Sequence, residues 1–263
     1  MKLRSIFERL ARGRTLKRSI CVGKQRASII VSPDAQLKYL KVGSNSFDQD
    51  LIEIAQHCLE PTDSVWDIGA NVGVFSVAAA ICAKSVVAVE ADIWLAGIVR
   101  RTANLIENSH LDIKVVPTAV SDTNGIAKFQ IANRGRASNA LEKAGGRSQM
   151  GGVRETVYVP TLNLDTLLHE FGPPDFIKID VEGAEWMAVS GGVSLFREHD
   201  PIVYVEIGDD VKGDIFEFFS DAGYKPYDPF GELISTSHNS SANVFFARDK
   251  NAPRLRKLRE KVG

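Results

Sequence analysis

Cysteine is scarce: Cys21, Cys58 and Cys82 are scattered, odd in number, and none stands in a C-x-x-C pair. That excludes a disulfide framework and a cysteine zinc site, and it fits a reducing cytoplasm. The five histidines, His57, His110, His169, His199 and His238, are dispersed with no pair at ligand spacing, which argues against zinc by any route. No apolar run approaches a membrane span, and the N-terminus lacks the apolar core of a signal peptide. A formal net charge of −1 provides no field for bulk nucleic-acid binding, so no nucleic-acid partner is expected. The chain also lacks G-x-G-x-x-G, the turn that seats a pyrophosphate in dinucleotide folds.

What it has instead is Val65-Trp66-Asp67-Ile68-Gly69-Ala70-Asn71-Val72-Gly73. This reads as a buried strand, a glycine turn and the entry to a helix over residues 74–83. A second apolar strand, residues 85–89, follows and ends in Glu90. Strand, turn, helix and an acid-ended strand form half of a nucleotide-binding α/β fold, with the acid about twenty residues on to accept from both ribose hydroxyls. Gly69 and Gly73 let the backbone approach a ligand, and the turn amides and helix N-terminus can take a carboxylate. Asp67 would repel a pyrophosphate but suits the ammonium of S-adenosylmethionine (SAM), directly or through water.

At 263 residues the chain can bury one good core and a modest extension. Three segments are expected: an extension over residues 1–45, a main domain over 46–249 and a basic tail over 250–263, the tail read as a solvated helical end. Residues 1–20 are basic, with apolar positions at helical spacing, and read as a surface helix or a weak interfacial helix drawn to anionic lipid. That gives a cytoplasmic protein with peripheral contact at the inner membrane surface as one option. Residues 27–31 and 37–42 flank Ser32-Pro33-Asp34-Ala35 and read as a hairpin. Residues 133–152 are rich in Gly, Ser, Arg and Asn. A loop of that length in a compact domain is either a functional lid, and then the first place to look for acceptor selection, or a disordered insertion.

The remaining strands and helices alternate, which points to an α/β fold with one doubly wound sheet. Ligands of such sheets lie outside the carboxyl ends of the strands. Asp67, Glu90, Asp180 and Glu206 all end strands or nearly so, and buried carboxylates are costly unless paired or used.

Three blocks then carry a resemblance: the glycine-turn block above, Ala119-Val120-Ser121-Asp122, and Phe176-Ile177-Lys178-Ile179-Asp180-Val181-Glu182-Gly183-Ala184-Glu185. Together they resemble the FkbM family of SAM-dependent methyltransferases, from about residue 47 to residue 248. The resemblance implies a Rossmann-like seven-stranded sheet and methylation of a hydroxyl on a sugar, glycan or natural product. It implies that Asp67, Gly69, Asn71 and Gly73 bind the methionine part of SAM, that Glu90 holds the ribose, and that Ser121 and Asp122 lie beside the adenine. Asp180 and Glu182 would face the reacting centre. Asp180, ending its strand, is the preferred base for an alcohol, a poor nucleophile near neutral pH. Asp180, Glu182 and Glu206 could alternatively hold Mg²⁺. For Glu182 and Glu185, helix N-terminal capping is the competing role. Two other functions stay open here: a non-catalytic SAM- or carbohydrate-binding module, and a nicotinamide-dependent oxidoreductase.

Overall fold

Short apolar runs in this chain are strands because both of their faces are covered. In the computed structural model, which describes residues 10–41, 47–142, 151–235 and 241–258, five such runs lie side by side and parallel in a seven-stranded sheet. They are β3 (Ser64–Ile68), β4 (Ser85–Val89), β5 (Ile113–Val116), β10 (Phe176–Ile179) and β11 (Ile202–Glu206). Two further strands, β12 (Lys225–Tyr227) and β13 (Asn243–Ala247), complete the order β12-β13-β11-β10-β3-β4-β5, with β13 antiparallel to both neighbours.

Alternation along each strand divides the core into two halves. Val65, Val86, Phe176, Ile202 and Phe245 face one cluster, covered by α1 (Gln49–Cys58) and α2 (Val74–Cys82). Trp66, Val87, Ile177, Val203 and Phe246 face the other. There α4 (Leu164–Phe171), α5 (Glu185–Ser190), α6 (Val193–Glu198) and α7 (Lys212–Asp221) contribute Leu167, Val189, Phe196 and Phe219. Helix α3 (Ile93–Ala103) follows β4, with its N-terminus capped by Asp92, which accepts from the Trp94 amide at 2.9 Å. Between β5 and β10 the chain makes an excursion into a second sheet. Its strands are β6 (Ala119–Val120), β7 (Gly125–Ala132), β8 (Ala140–Leu141) and β9 (Val153–Leu162), in the order β6-β9-β7-β8.

The N-terminal region differs from the expected arrangement. The hairpin is β1 (Leu16–Val22) with β2 (Gln25–Val31), turning at Gly23, whose φ of 57° favours glycine. Residues 37–40 form a 3₁₀ turn instead of the return strand. Ser32 explains this: its Oγ accepts from the Asp34 amide at 3.0 Å and its carbonyl from the Ala35 amide at 3.0 Å, so the chain turns aside. Lys17 and Arg18 therefore sit on a strand and not on a basic helix, with Lys17 donating to Glu107 at 2.5 Å. Residues 1–9 of the expected helix lie outside the described residues. The hairpin joins the main core, with Ile20, Ile29 and Val31 fully buried and the Ile30 amide donating to Thr102 Oγ1 at 2.9 Å.

The tail is not a solvated end either. In α8 (Ala252–Arg256) Ala252 and Leu255 are buried, and Arg254 donates from Nε to the Cys58 carbonyl at 2.9 Å and pairs with Asp63. Residues 259–263 lie outside the described residues. Among the described residues, no helix is long and apolar enough to cross a membrane.

Candidate functional site

Chain order sets the position of the site. From β3 the chain moves outward to β4 and β5, and from β10 outward in the other direction to β11, so the crevice opens between the carboxyl ends of β3 and β10. A cavity of about 340 Å³ lies there, in the range of small-molecule sites. Of the expected site residues, Gly69, Asn71, Glu90, Asp180 and Glu182 line it, together with Glu206. Asp67, Gly73, Ser121 and Asp122 do not.

Each displaced residue has a physical reason. Asp67 is fully buried inside the sheet, where its Oδ2 accepts from Ser76 Oγ at 2.5 Å and its Oδ1 from Lys178 Nζ at 3.3 Å. Its charge is already answered behind the cavity wall. Gly73 has φ +85°, and a Cβ there would meet Val99 at 3.3 Å, so it serves the packing of α2 on α3. Ser121 is buried and donates to Asp122 Oδ1 at 3.0 Å, and it is the preceding residues, Thr118, Ala119 and Val120, that reach the cavity. The turn amides are also occupied: Gly69 and Ala70 donate to the Val89 carbonyl at 2.9 and 3.0 Å, and Asn71 to Glu90 Oε2 at 2.7 Å. Gly69 serves the sheet as well as any ligand, because a Cβ there would lie 1.9 Å from the Asp180 carbonyl oxygen.

Glu90 is held from both sides. Oε2 accepts from Asn71 and Oε1 from the Asp92 amide at 2.8 Å. Each oxygen has a second lone pair that can take a ribose hydroxyl. Burial pushes its carboxyl up to about 7; the Asp92 amide opposes this, the Asp92 carboxylate adds to it, and the Asn71 amide opposes it. Nearby, Asn71 holds φ 54°, a left-handed conformation that asparagine tolerates. Its Oδ1 is buried without a hydrogen-bond partner among the described residues, and such an atom needs a donor. A buried acid at a strand end, an unsatisfied acceptor and a cavity of this volume fit a nucleoside-bearing cofactor.

The Glu90 environment gives an expected result. A carboxyl held at about 7 in the folded chain and at 4.5 unfolded stabilises fully below the lower value. That contribution is lost as pH rises through the folded value. Glu90→Gln abolishes the titration. Denaturant unfolding should therefore show the variant gaining on the parent, by on the order of 3 kcal/mol between about pH 4 and pH 8. A constant difference across that interval contradicts the assigned environment.

Lys178, to which the sequence alone assigns no role, lies at the heart of the site. It is 3 % exposed, its Nζ is 3.3 Å from Asp67 and 3.1 Å from Asp180, and it reaches the Gly69 carbonyl at 3.4 Å. Burial works against its ammonium, but the carboxylates of Asp180 and Asp67 outweigh that and raise its pKa. A lysine inside an apolar strand was the available signal, since a buried ammonium requires anions. Asp180 keeps 38 % of its side chain exposed and presents it to the cavity. The lysine also answers the Mg²⁺ expectation. The protein's own cation sits against Asp180, and among the described residues no group of three or more His, Cys, Asp or Glu could hold a metal ion. Glu185 is a buried helix-start residue whose Oε1 accepts from the Gly183 amide at 3.0 Å. His57, His110, His169 and His199 do not line the cavity, and His238 lies outside the described residues.

The domain described as "Methyltransferase FkbM domain" matches residues 67–226. No curated protein matches the chain. Among solved structures, similarity is found to a methyltransferase FkbM from Methylobacillus flagellatus, at 14 % identity and TM-score 0.44, covering 81 % of this chain and 58 % of that one. A precorrin-6y C5,15-methyltransferase from Geobacter metallireducens aligns at 13 % identity and TM-score 0.42, covering 75 % and 84 %. A 16S rRNA N2 G1207 methyltransferase from T. thermophilus, solved with AdoMet and guanosine, aligns at 12 % identity and TM-score 0.45, covering 89 % and 50 %.

Proposed function

Because the chain belongs to the FkbM family of methyltransferases, we propose that it transfers the methyl group of SAM to a hydroxyl oxygen of a sugar, glycan or natural-product acceptor. The observation that carries this is the placement of Glu90, Asn71 and Asp180 along one cavity at the switch point of the sheet. Glu90 accepts from the ribose hydroxyls, Asn71 Oδ1 takes a cofactor donor, and residues 46–249 form the catalytic domain.

SAM supplies, when bound, an electrophilic methyl carbon on a sulfonium that leaves readily. The protein's work is alignment, exclusion of water and activation of the alcohol. Asp180, fixed against Lys178, takes the hydroxyl proton, and Glu182, two residues on along the same cavity wall, orients the acceptor. The charge of this region supports an acceptor without phosphate. Among the described residues, Asp48, Asp50, Glu90, Asp180, Glu182 and Glu206 line the cavity against Lys38, Arg136 and Lys178. Carboxylates accept from hydroxyl donors and repel anions.

The test is transfer from methyl-labelled SAM to sugars, lipid-linked sugars, small-molecule alcohols and, as a contrary arm, RNA. The expected product is a methyl ether identified by NMR. Label entering only nitrogen, carbon or RNA overturns the proposal.

A further inference from the structure

One arginine joins three parts of the chain beside the cavity. We propose that Arg136 is a positioning residue for the cofactor site: it braces Asp92, and Asp92 in turn holds Glu90. This rests on the reading of Glu90 given above and goes beyond it, since the motifs behind that reading assign Arg136 no role.

Arg136 opens a 3₁₀ turn (Arg136–Ser138) between β7 and β8. Its backbone is clamped to the bend that follows β2, with its amide donating to the Asp34 carbonyl at 2.9 Å. Gly135 permits this approach, because a Cβ there would lie 2.7 Å from the Ala35 carbonyl oxygen. The guanidinium is largely buried and lies over the Trp94 ring at 4.8 Å. Its Nε donates to Asp34 Oδ2 at 3.2 Å and its Nη1 to Asp92 Oδ2. Asp34 is further answered by Arg154 at 3.0 Å, so the anchor stands without drawing charge from Asp92.

Asp92 carries three tasks on one residue. Its Oδ1 caps α3, its Oδ2 accepts from Asn139 Nδ2 at 2.8 Å and from Arg136, and its amide donates to Glu90 Oε1 at 2.8 Å. Its carboxylate is buried two residues from Glu90, and a buried anion needs a cation. Arg136 supplies it. Burial is the main reason the Glu90 carboxyl stands at about 7; the Asp92 carboxylate adds to this, and Asp67 of β3, which Lys178 of β10 answers, adds less. How far Asp92 is neutralised therefore decides how much of Glu90 is carboxylate near neutral pH. The carboxylate accepts through both oxygens, whereas the protonated group spends one of them as a donor.

The test titrates the Glu90 side-chain carboxyl by carbon-13 NMR in the full chain without ligand, its signal assigned by loss in Glu90→Gln. Arg136→Gln keeps a donor for Asp92 and removes the cation, so the midpoint should rise by about one pH unit from the parental value of about 7. Arg136→Lys should restore it. Asp92→Asn keeps the capping oxygen and removes the anion, so the midpoint should fall. The opposite signs are diagnostic, because loosened packing would admit water to Glu90 and lower the midpoint in both variants. At pH 7.5 the rise takes Glu90 from roughly three quarters ionised to one quarter. By calorimetry Arg136→Gln should then bind S-adenosylhomocysteine about threefold more weakly at pH 7.5 and equally well at pH 9. An unmoved or lowered midpoint in Arg136→Gln, or a binding loss undiminished at pH 9, overturns the proposal. Should Arg136→Gln fail to fold, an unmoved or raised midpoint in Asp92→Asn overturns it as well. Midpoints that move as expected in a parent that does not bind S-adenosylhomocysteine defeat the SAM reading and uphold the link from Arg136 to Glu90.

Discussion

Gly69→Val is expected to yield little folded protein. At φ +79° a branched residue is strained, and its Cβ would lie 1.9 Å from the Asp180 carbonyl oxygen. The Cβ position is fixed by the backbone and the atom it meets is a backbone oxygen, so no rotamer change relieves the overlap. The clash falls where β3 and β10 pair at the centre of the sheet, with Ile179 opposite Ile68 and the Asp180 amide donating to the Ile68 carbonyl at 3.0 Å. A loss above about 4 kcal/mol is expected, against a total stability of about 5–15 kcal/mol for a typical domain. Denaturant unfolding or expression as soluble protein measures it. A glycine turn beside a ligand looks the same in sequence as one beside a neighbouring strand, and a turn that served only the ligand would give a folded variant that fails to bind SAM. A Gly69→Val protein of parental stability that lacks only cofactor binding would restore that reading.

Asp180→Asn is expected to separate chemistry from binding. The amide keeps the carboxyl's shape and removes its charge, and Lys178 retains Asp67 as its anion. Loss of a positioned base typically costs about 10²–10⁴-fold in rate. Transfer to a verified acceptor should fall by that factor, while S-adenosylhomocysteine affinity changes little. Near-parental turnover would remove Asp180 from the chemistry and leave Glu182 and Glu206, which share the cavity wall, as the groups to vary next.

How far the sequence could be read depended on whether a residue's meaning was local. Strands β3, β4 and β10 are short apolar runs because helices cover both faces, and that signal is complete within each run. Glu90 and Asn71 were legible for a related reason, since their offsets from the turn fix where they stand. Asp67 was not, because a strand-end acid reads alike whether it points along a cavity or into a sheet. Its fate is decided by Lys178, its register partner across β3 and β10, more than a hundred residues away in the chain. The hairpin was misplaced because two turn-forming sequences compete, Gly23-Lys24 and Pro33-Asp34. The hydrogen bonds of Ser32 that close the second into a bend are a property of geometry. Arg254 gave no local sign that Asp63 and the Cys58 carbonyl would anchor the tail.

The central claim is that Glu90 holds the ribose of SAM at the end of β4. Calorimetric titration of S-adenosylhomocysteine into the parent chain and into Glu90→Gln tests it most directly. Hydrogen bonds to a charged acceptor contribute about 1.5–3 kcal/mol each, so losing the charge under two hydroxyls should weaken binding by at least about tenfold. Stoichiometric binding by the parent with that loss in the variant is the predicted result. Equal affinity in the two proteins, or no binding by the parent, contradicts it.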